Sequence, residues 1–226
     1  MKLFVGTSGW AYPWNKGRSL SWYVNNTPFN SIELNSSFYR IPDEVMIKRW
    51  ATYKLTWSVK VHRKFTHVKR LKDVDLSDFF NVFKPLSPAF YLFQLPPSFK
   101  RNDENLERIS KVAKWRNCIF EFRDESWLSD PPEGIPLVSI DSPIGSYVFP
   151  GRVVYLRIHG RSRWYFHEYS EDELLEIAER VKDQNPEEVY VFFNNDKFML
   201  ENGKTFLKIM KDRGLDSLGN QGGQDG

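Results

Sequence analysis

Eight short runs rich in β-branched and aromatic residues recur along the chain, and no other feature restricts the fold so tightly. They are LFVG (3–6), SIEL (31–34), WSVKV (57–61), FYLFQL (90–95), CIFEF (118–122), PLVSI (136–140), VVYLRI (153–158) and VYVFF (189–193). Segments of helical character separate most of them. In SEDELLEIAERVKDQ (170–184), Ser170 and Glu173 have capping-box spacing, and Leu174, Ile177, Ala178 and Val181 form one apolar face. DEVMIKRWATY (43–53) and NDENLERISKVAKW (102–115) each open with acidic residues, which suit a helix N-terminus. GKTFLKIMKDR (203–213) predicts a shorter last helix. Parallel strands need crossover connections, so this alternation predicts an α/β fold built on a parallel sheet. Eight units in 226 residues predict a TIM (β/α)₈ barrel, with short or missing helices after strands 5 and 6. An open doubly wound sheet is the alternative. Without a repeat or a composition break, residues 1–215 read as one TIM-barrel domain, and the Gly-rich residues 216–226 as a disordered tail.

The ends of these runs carry the chemistry. In FEFR (120–123), Glu121 and Arg123 occupy one parity while Phe120 and Phe122 hold the other. Alternate side chains on a strand share a face. Ile32 and Leu34 flank Glu33 in the same way, and Leu156 and Ile158 flank Arg157. With helices covering the outside, the apolar parity faces them and the charged parity points into the barrel mouth, where such folds place their sites. Asn35, Lys60, His62, Gln94, Asp141, His159, Asn194 and Asn195 fall at the same ends. A plainer reading makes these charges a layer that only satisfies itself, for example Glu121 with Arg157.

Two loops bias the pocket toward anions. KVHRKFTHVKRLK (60–72) contains no acid, and IHGRSRWYFH (158–167) adds Arg161 and Arg163 beside Trp164, Tyr165 and Phe166. Cations interleaved with aromatics suit phosphate contact combined with ring stacking. The net charge of +3 is too small to imply a partner by itself. Cys118 is the one cysteine, which excludes an intrachain disulfide and fits a reducing, cytoplasmic setting; its apolar strand makes it a small buried hydrophobe. No stretch approaches the roughly 20 apolar residues of a membrane span.

Seven blocks carry a resemblance: GTSGWAYPW (6–14), SIELNSSFYRIP (31–42), WSVKVHRKFTHVKRL (57–71), FQLPPSF (93–99), EFRDESW (121–127), YLRIHG (155–160) and FFNN (192–195). In this order they resemble the YecE-like family, domain of unknown function 72. The resemblance implies a TIM barrel and no settled activity. It also implies a similarity in shape to xylose isomerases and AP endonucleases, for which metal-dependent or nucleic-acid phosphodiester chemistry would follow by analogy. Two blocks depart from the family. Asp124-Glu125 stands where a His-Pro or similar pair precedes Ser-Trp, and DKFMLENGK follows Asn194-Asn195 in place of a Gly- and Ala-rich helix start. A catalytic histidine after strand 5 would then be absent, or replaced by Asp124.

The expected function is an enzyme, hydrolase or phosphodiesterase-like, acting on a phosphate-bearing substrate in a cationic, aromatic-rimmed pocket. Glu33 and Glu121 are the candidate acid and base, and His159 a proton shuttle. Ser8, Trp10, Asn35, Tyr39, Lys60, His62, Gln94, Arg123, Trp127, Asp141, Arg157, Asn194 and Asn195 are the candidate ligand-binding residues. The GTSG turn (6–9) offers backbone N–H groups to an anion. Four histidines under-supply a three-zinc site. No tightly bound metal is favoured, although Glu33, Glu121 and Asp141 offer oxygens to a single divalent cation. The alternatives are a non-catalytic binder of single-stranded nucleic acid and a carbohydrate-active enzyme using the Glu pair.

Overall fold

The chain is described by a computed structural model over residues 1–214, and the expected tail at 216–226 lies outside the described residues. Its strands are β1 (Lys2–Thr7), β2 (Ser31–Leu34), β3 (Thr56–Lys60), β4 (Phe90–Gln94), β5 (Cys118–Glu121), β6 (Val138–Ser142), β7 (Gly145–Tyr147), β8 (Val153–Ile158) and β9 (Glu188–Phe193). The helices are α1 (Leu20–Asn26), α2 (Glu44–Trp50), α3 (Ser77–Phe83), α4 (Asp103–Val112), α5 (Glu125–Leu128), α6 (Glu171–Asp183) and α7 (Met199–Asp212). All strands but β7 pair in parallel, and the fold is the TIM barrel that the alternation predicts. The expected gaps are present: α5 is a single turn, and the short antiparallel β7 replaces a helix between β6 and β8.

Backbone pairing divides the wall into two ladders, β2-β3-β4-β5 and β6-β8-β9-β1. One seam is crossed by a single bridge, Phe120 with Leu137, where Phe120 N–H donates to the Pro136 carbonyl at 3.0 Å. At the other seam, side chains act as the missing ladder. Asn30 Oδ1 accepts from Val5 N–H and its Nδ2 donates to the Leu3 carbonyl, both at 2.9 Å. The Tyr23 hydroxyl accepts from Thr7 N–H at 3.2 Å and donates to the Ser31 carbonyl at 2.9 Å. Gly6 permits this approach, since a Cβ there would lie 2.1 Å from the Ser31 oxygen.

Two boundaries differ from the sequence reading. Strand β6 runs 138–142 rather than 136–140, because pairing with both β7 and β8 extends it to Ser142. The last helix begins at Met199 rather than residue 203; Gly203 lies within it, where its missing Cβ accommodates the Phe29 ring. Inside the barrel, Phe4, Phe90, Tyr155 and Tyr190 form an aromatic floor, with Phe4 stacked on Tyr190 at 4.5 Å and Phe90 edge-on to Tyr155 at 5.3 Å. The opposite parity packs under the helices, where α6 buries Leu174, Ile177, Ala178 and Val181. Among the described residues, no helix is long and apolar enough to cross a membrane.

Candidate functional site

Above the aromatic floor lies a layer of charge with almost no access to water. Arg157, from β8, bridges two carboxylates on the opposite ladder: Nη2 donates to Glu33 Oε1 at 2.6 Å and Nη1 to Glu121 Oε2 at 2.5 Å. Glu33 Oε1 also accepts from Ser8 Oγ at 2.8 Å, and Oε2 from the Tyr155 hydroxyl at 2.7 Å. Glu121 Oε1 is held by Arg123 Nε. All four carboxylate oxygens therefore have partners, and both residues are fully buried. Burial alone would raise the Glu121 pKa, but the guanidinium groups of Arg123 and Arg157 hold it well below the usual range. Burial likewise opposes the Arg157 cation, and the two carboxylates more than restore it.

His159 continues the layer. Its Nε2 lies 3.3 Å from Arg123 Nη2, and Asn194 Nδ2 lies 3.2 Å from its Nδ1. Burial and then the Arg123 cation push its pKa down to about 3, so the imidazole is neutral at ordinary pH. The Arg123 guanidinium is covered on its outer side by the Trp164 ring, 4.1 Å away.

The mouth itself presents a different set of groups. Lys60, Gln94, Arg123 and Asn194 keep 9%, 8%, 8% and 7% of their surface exposed, unlike Glu33 and Glu121 beneath them at 0%. Lys60 Nζ rests over the Phe38 ring at 4.3 Å. Among the described residues, neither this ammonium nor the Gln94 amide has a hydrogen-bond or ion-pair partner. Burial first, and then the Arg157 guanidinium, push the Lys60 pKa down to about 7. The following loop props Phe38 in place: His67 stacks edge-on to it at 4.9 Å, and His62 accepts from Lys64 N–H at 3.1 Å. Between the β1 and β2 loops, a pocket of about 280 Å³ opens, lined by Ser8, Trp10, Tyr12 and Asn35.

A family model, protein of unknown function DUF72, matches residues 4–217. The chain belongs to the DUF72 family. A solved DUF72 family protein from Thermotoga maritima is 27% identical, with a TM-score of 0.78 over 93% of this chain and 100% of its own. One from Enterococcus faecalis is 19% identical, with a TM-score of 0.73 over 93% of this chain and 98% of its own. Among curated proteins, none matches the sequence.

In this DUF72 barrel, Glu33, Glu121, Arg123 and Arg157 share the inward parity that the alternation implies, and Ser8, Lys60, Gln94, His159 and Asn194 lie with them at the strand ends. Several other expected residues sit apart. Asp141 pairs in register with Ile158, on the outward parity, where it accepts from the Tyr169 hydroxyl at 2.6 Å and binds Arg161 at 3.1 Å. It therefore does not join Glu33 and Glu121, and among the described residues no three His, Cys, Asp or Glu side chains are grouped to hold a metal ion. Asn195 also faces outward, donating to the His167 carbonyl at 2.8 Å. Trp127 lies in the core, stacked on Phe122 at 4.3 Å, with its Nε1 donating to the Phe99 carbonyl. Tyr39 is exposed at the rim, and its carbonyl lies 3.2 Å from His62 Nε2.

The GTSG turn does not present free amides. The N–H groups of Thr7, Ser8 and Gly9 donate to the Tyr23 hydroxyl, the Phe193 carbonyl and the Thr7 carbonyl respectively. Asp124, where the resemblance implies a His-Pro or similar pair, caps α5 by accepting from Ser126 N–H at 3.1 Å. Tyr155 and Ser58 were not among the sequence candidates, although their hydroxyls lie 2.7 Å apart beneath Glu33. Tyr155 shares the parity of Arg157, and that parity was the signal that could have found it.

Proposed function

We propose that the barrel mouth of this DUF72 protein binds a phosphate-bearing ligand and acts on it there. The observation that carries the reading is Lys60. The two carboxylates balance the guanidiniums of Arg157 and Arg123, so the Lys60 ammonium is the surplus charge at the mouth, nine-tenths buried and without a carboxylate partner. A desolvated cation without a counter-ion favours an incoming anion strongly. Arg123, Gln94 and Asn194 add polar groups at the same mouth. In this reading Glu33 and Glu121 act as positioning residues that aim Arg157 and Arg123, since none of their oxygens is free to take a proton. The same engagement weakens the glycosidase alternative, which needs both carboxyl groups at the substrate.

Single-stranded nucleic acid remains a second source of the same phosphate chemistry. The loop after β3 supports it, because Arg63, Lys64, Lys69 and Lys72 are exposed. Arg161 does not add to that surface, being paired with Asp141 and Glu176.

Titration with inorganic phosphate, with acetate as control, tests the proposal. Losing a charge-assisted hydrogen bond of about 1.5–3 kcal/mol should weaken phosphate binding in Lys60→Met by roughly ten- to a hundredfold. Equal affinity in wild type and variant would remove Lys60, and with it the reading. Because phosphate favours the ammonium, binding above pH 7 should take up a proton. Calorimetry in buffers of different ionisation enthalpy reads this directly.

A further inference from the structure

Lys60 has a second property that charge alone does not use. Resting on the reading of the mouth as an anion site, we infer that Lys60 is also a nucleophile, whose amine condenses with the carbonyl group of a phosphorylated aldehyde or ketone held there. Three observations meet at this side chain. It is the one buried lysine among the described residues, at the C-terminal end of β3 where the barrel opens. Its Nζ lies against the Phe38 ring and is hydrogen bonded to no carboxylate, so its lone pair is not committed. Other lysines are either paired with glutamates, as Lys2, Lys48, Lys111 and Lys204 are, or exposed to water, as Lys69 and Lys72 are.

A lysine becomes nucleophilic when it is desolvated or placed beside another cation. Both conditions hold here: burial is the larger influence on Lys60 and the Arg157 guanidinium follows, partly opposed by Glu121 and Glu33. A free amine is consequently well populated near neutral pH, whereas an ordinary lysine is almost wholly charged. Gln94, with its amide unpartnered on the neighbouring strand, is the donor available to a carbonyl oxygen, and Arg123, whose Nε and Nη2 are held by Glu121 and His159, has Nη1 left to offer the phosphate.

The step balances without an outside reactant. The Nζ lone pair forms the new C–N bond while the carbonyl π pair moves onto oxygen. That oxygen leaves as water, carrying the two protons that the ammonium nitrogen gives up, and a protonated imine remains on Lys60. The imine draws electrons from the adjacent carbon, which is what a lysine of this kind contributes to catalysis.

Reductive trapping tests the inference on the full chain. The protein is incubated with dihydroxyacetone phosphate near pH 7, reduced with borohydride and mapped by peptide mass spectrometry. One reduced adduct is expected on Lys60, suppressed by excess inorganic phosphate and absent in Lys60→Met. Lys60→Arg should still bind phosphate while forming no adduct. Phosphate binding without an adduct, or labelling spread evenly over the exposed lysines, overturns the nucleophile and leaves the anion site intact. Equal trapping of unphosphorylated dihydroxyacetone, unaffected by phosphate, overturns the anion site and the phosphorylated substrate class instead. The wild-type peptide map decides between these results even if a variant fails to fold.

Discussion

At the scale of single residues, burial determines which titrating groups can change charge. His159 is held neutral down to about pH 3, whereas an unfolded histidine takes its proton near 6.5. Between those values the unfolded chain binds more protons, so stability rises with pH and is lost as acid is added. His67, pushed down to about 4 by partial burial and then by Lys60, acts in the same direction. Urea midpoints should therefore fall from about pH 6.5 to about pH 5, above the range of ordinary carboxylates. Replacing both histidines with Gln should flatten that slope; an unchanged slope would mean that neither imidazole is kept neutral by folding. Glu33, Glu121 and Arg157 were legible in the sequence because large apolar neighbours fixed their parity. Asp141 was not, because its orientation depends on the register of β6, and that strand begins two residues later than its apolar run. The commitments of the GTSG amides were also hidden, since their partners Tyr23 and Phe193 are distant in sequence.

At the scale of elements, the strands were legible and the short helices less so. Capping and amphipathic spacing marked α6, whose capping box between Ser170 and Glu173 is present. Helices α1 and α3 are seven residues each, LSWYVNN and SDFFNVF, too short and too aromatic to show a helical period. No local pattern reveals the seam between β1 and β2 either, because it is closed by side chains. Asn30→Ala should leave Val5 N–H and the Leu3 carbonyl unpaired between the strands. Each orphaned buried group costs about 1–3 kcal/mol, and denaturant unfolding should show a loss of that order. Asn26→Ala, which removes an exposed bond to the Trp22 carbonyl, is the matched control and should cost less.

At the scale of the whole molecule, the composition conceals how the charge is arranged. A net charge of +3 includes a neutralised interior and a basic loop after β3. Replacing Arg63, Lys64 and Lys69 with Ala should lower the salt slope of single-stranded oligonucleotide binding by about 0.7 for each phosphate that is no longer neutralised. Saturation of the mouth by inorganic phosphate should be unaffected; a matching drop there would place those side chains inside the pocket. The division of the wall into two ladders has a consequence for how the chain is made. Residues 31–121, carrying β2 to β5, emerge during synthesis before Arg157 of β8 exists. Until then Glu33 lacks its guanidinium, and a carboxylate destined for full burial has reason to stay hydrated. The first ladder is thus discouraged from closing over its own interior. Arg157, 124 residues after Glu33, can neutralise that carboxylate only once the second half of the chain has been made.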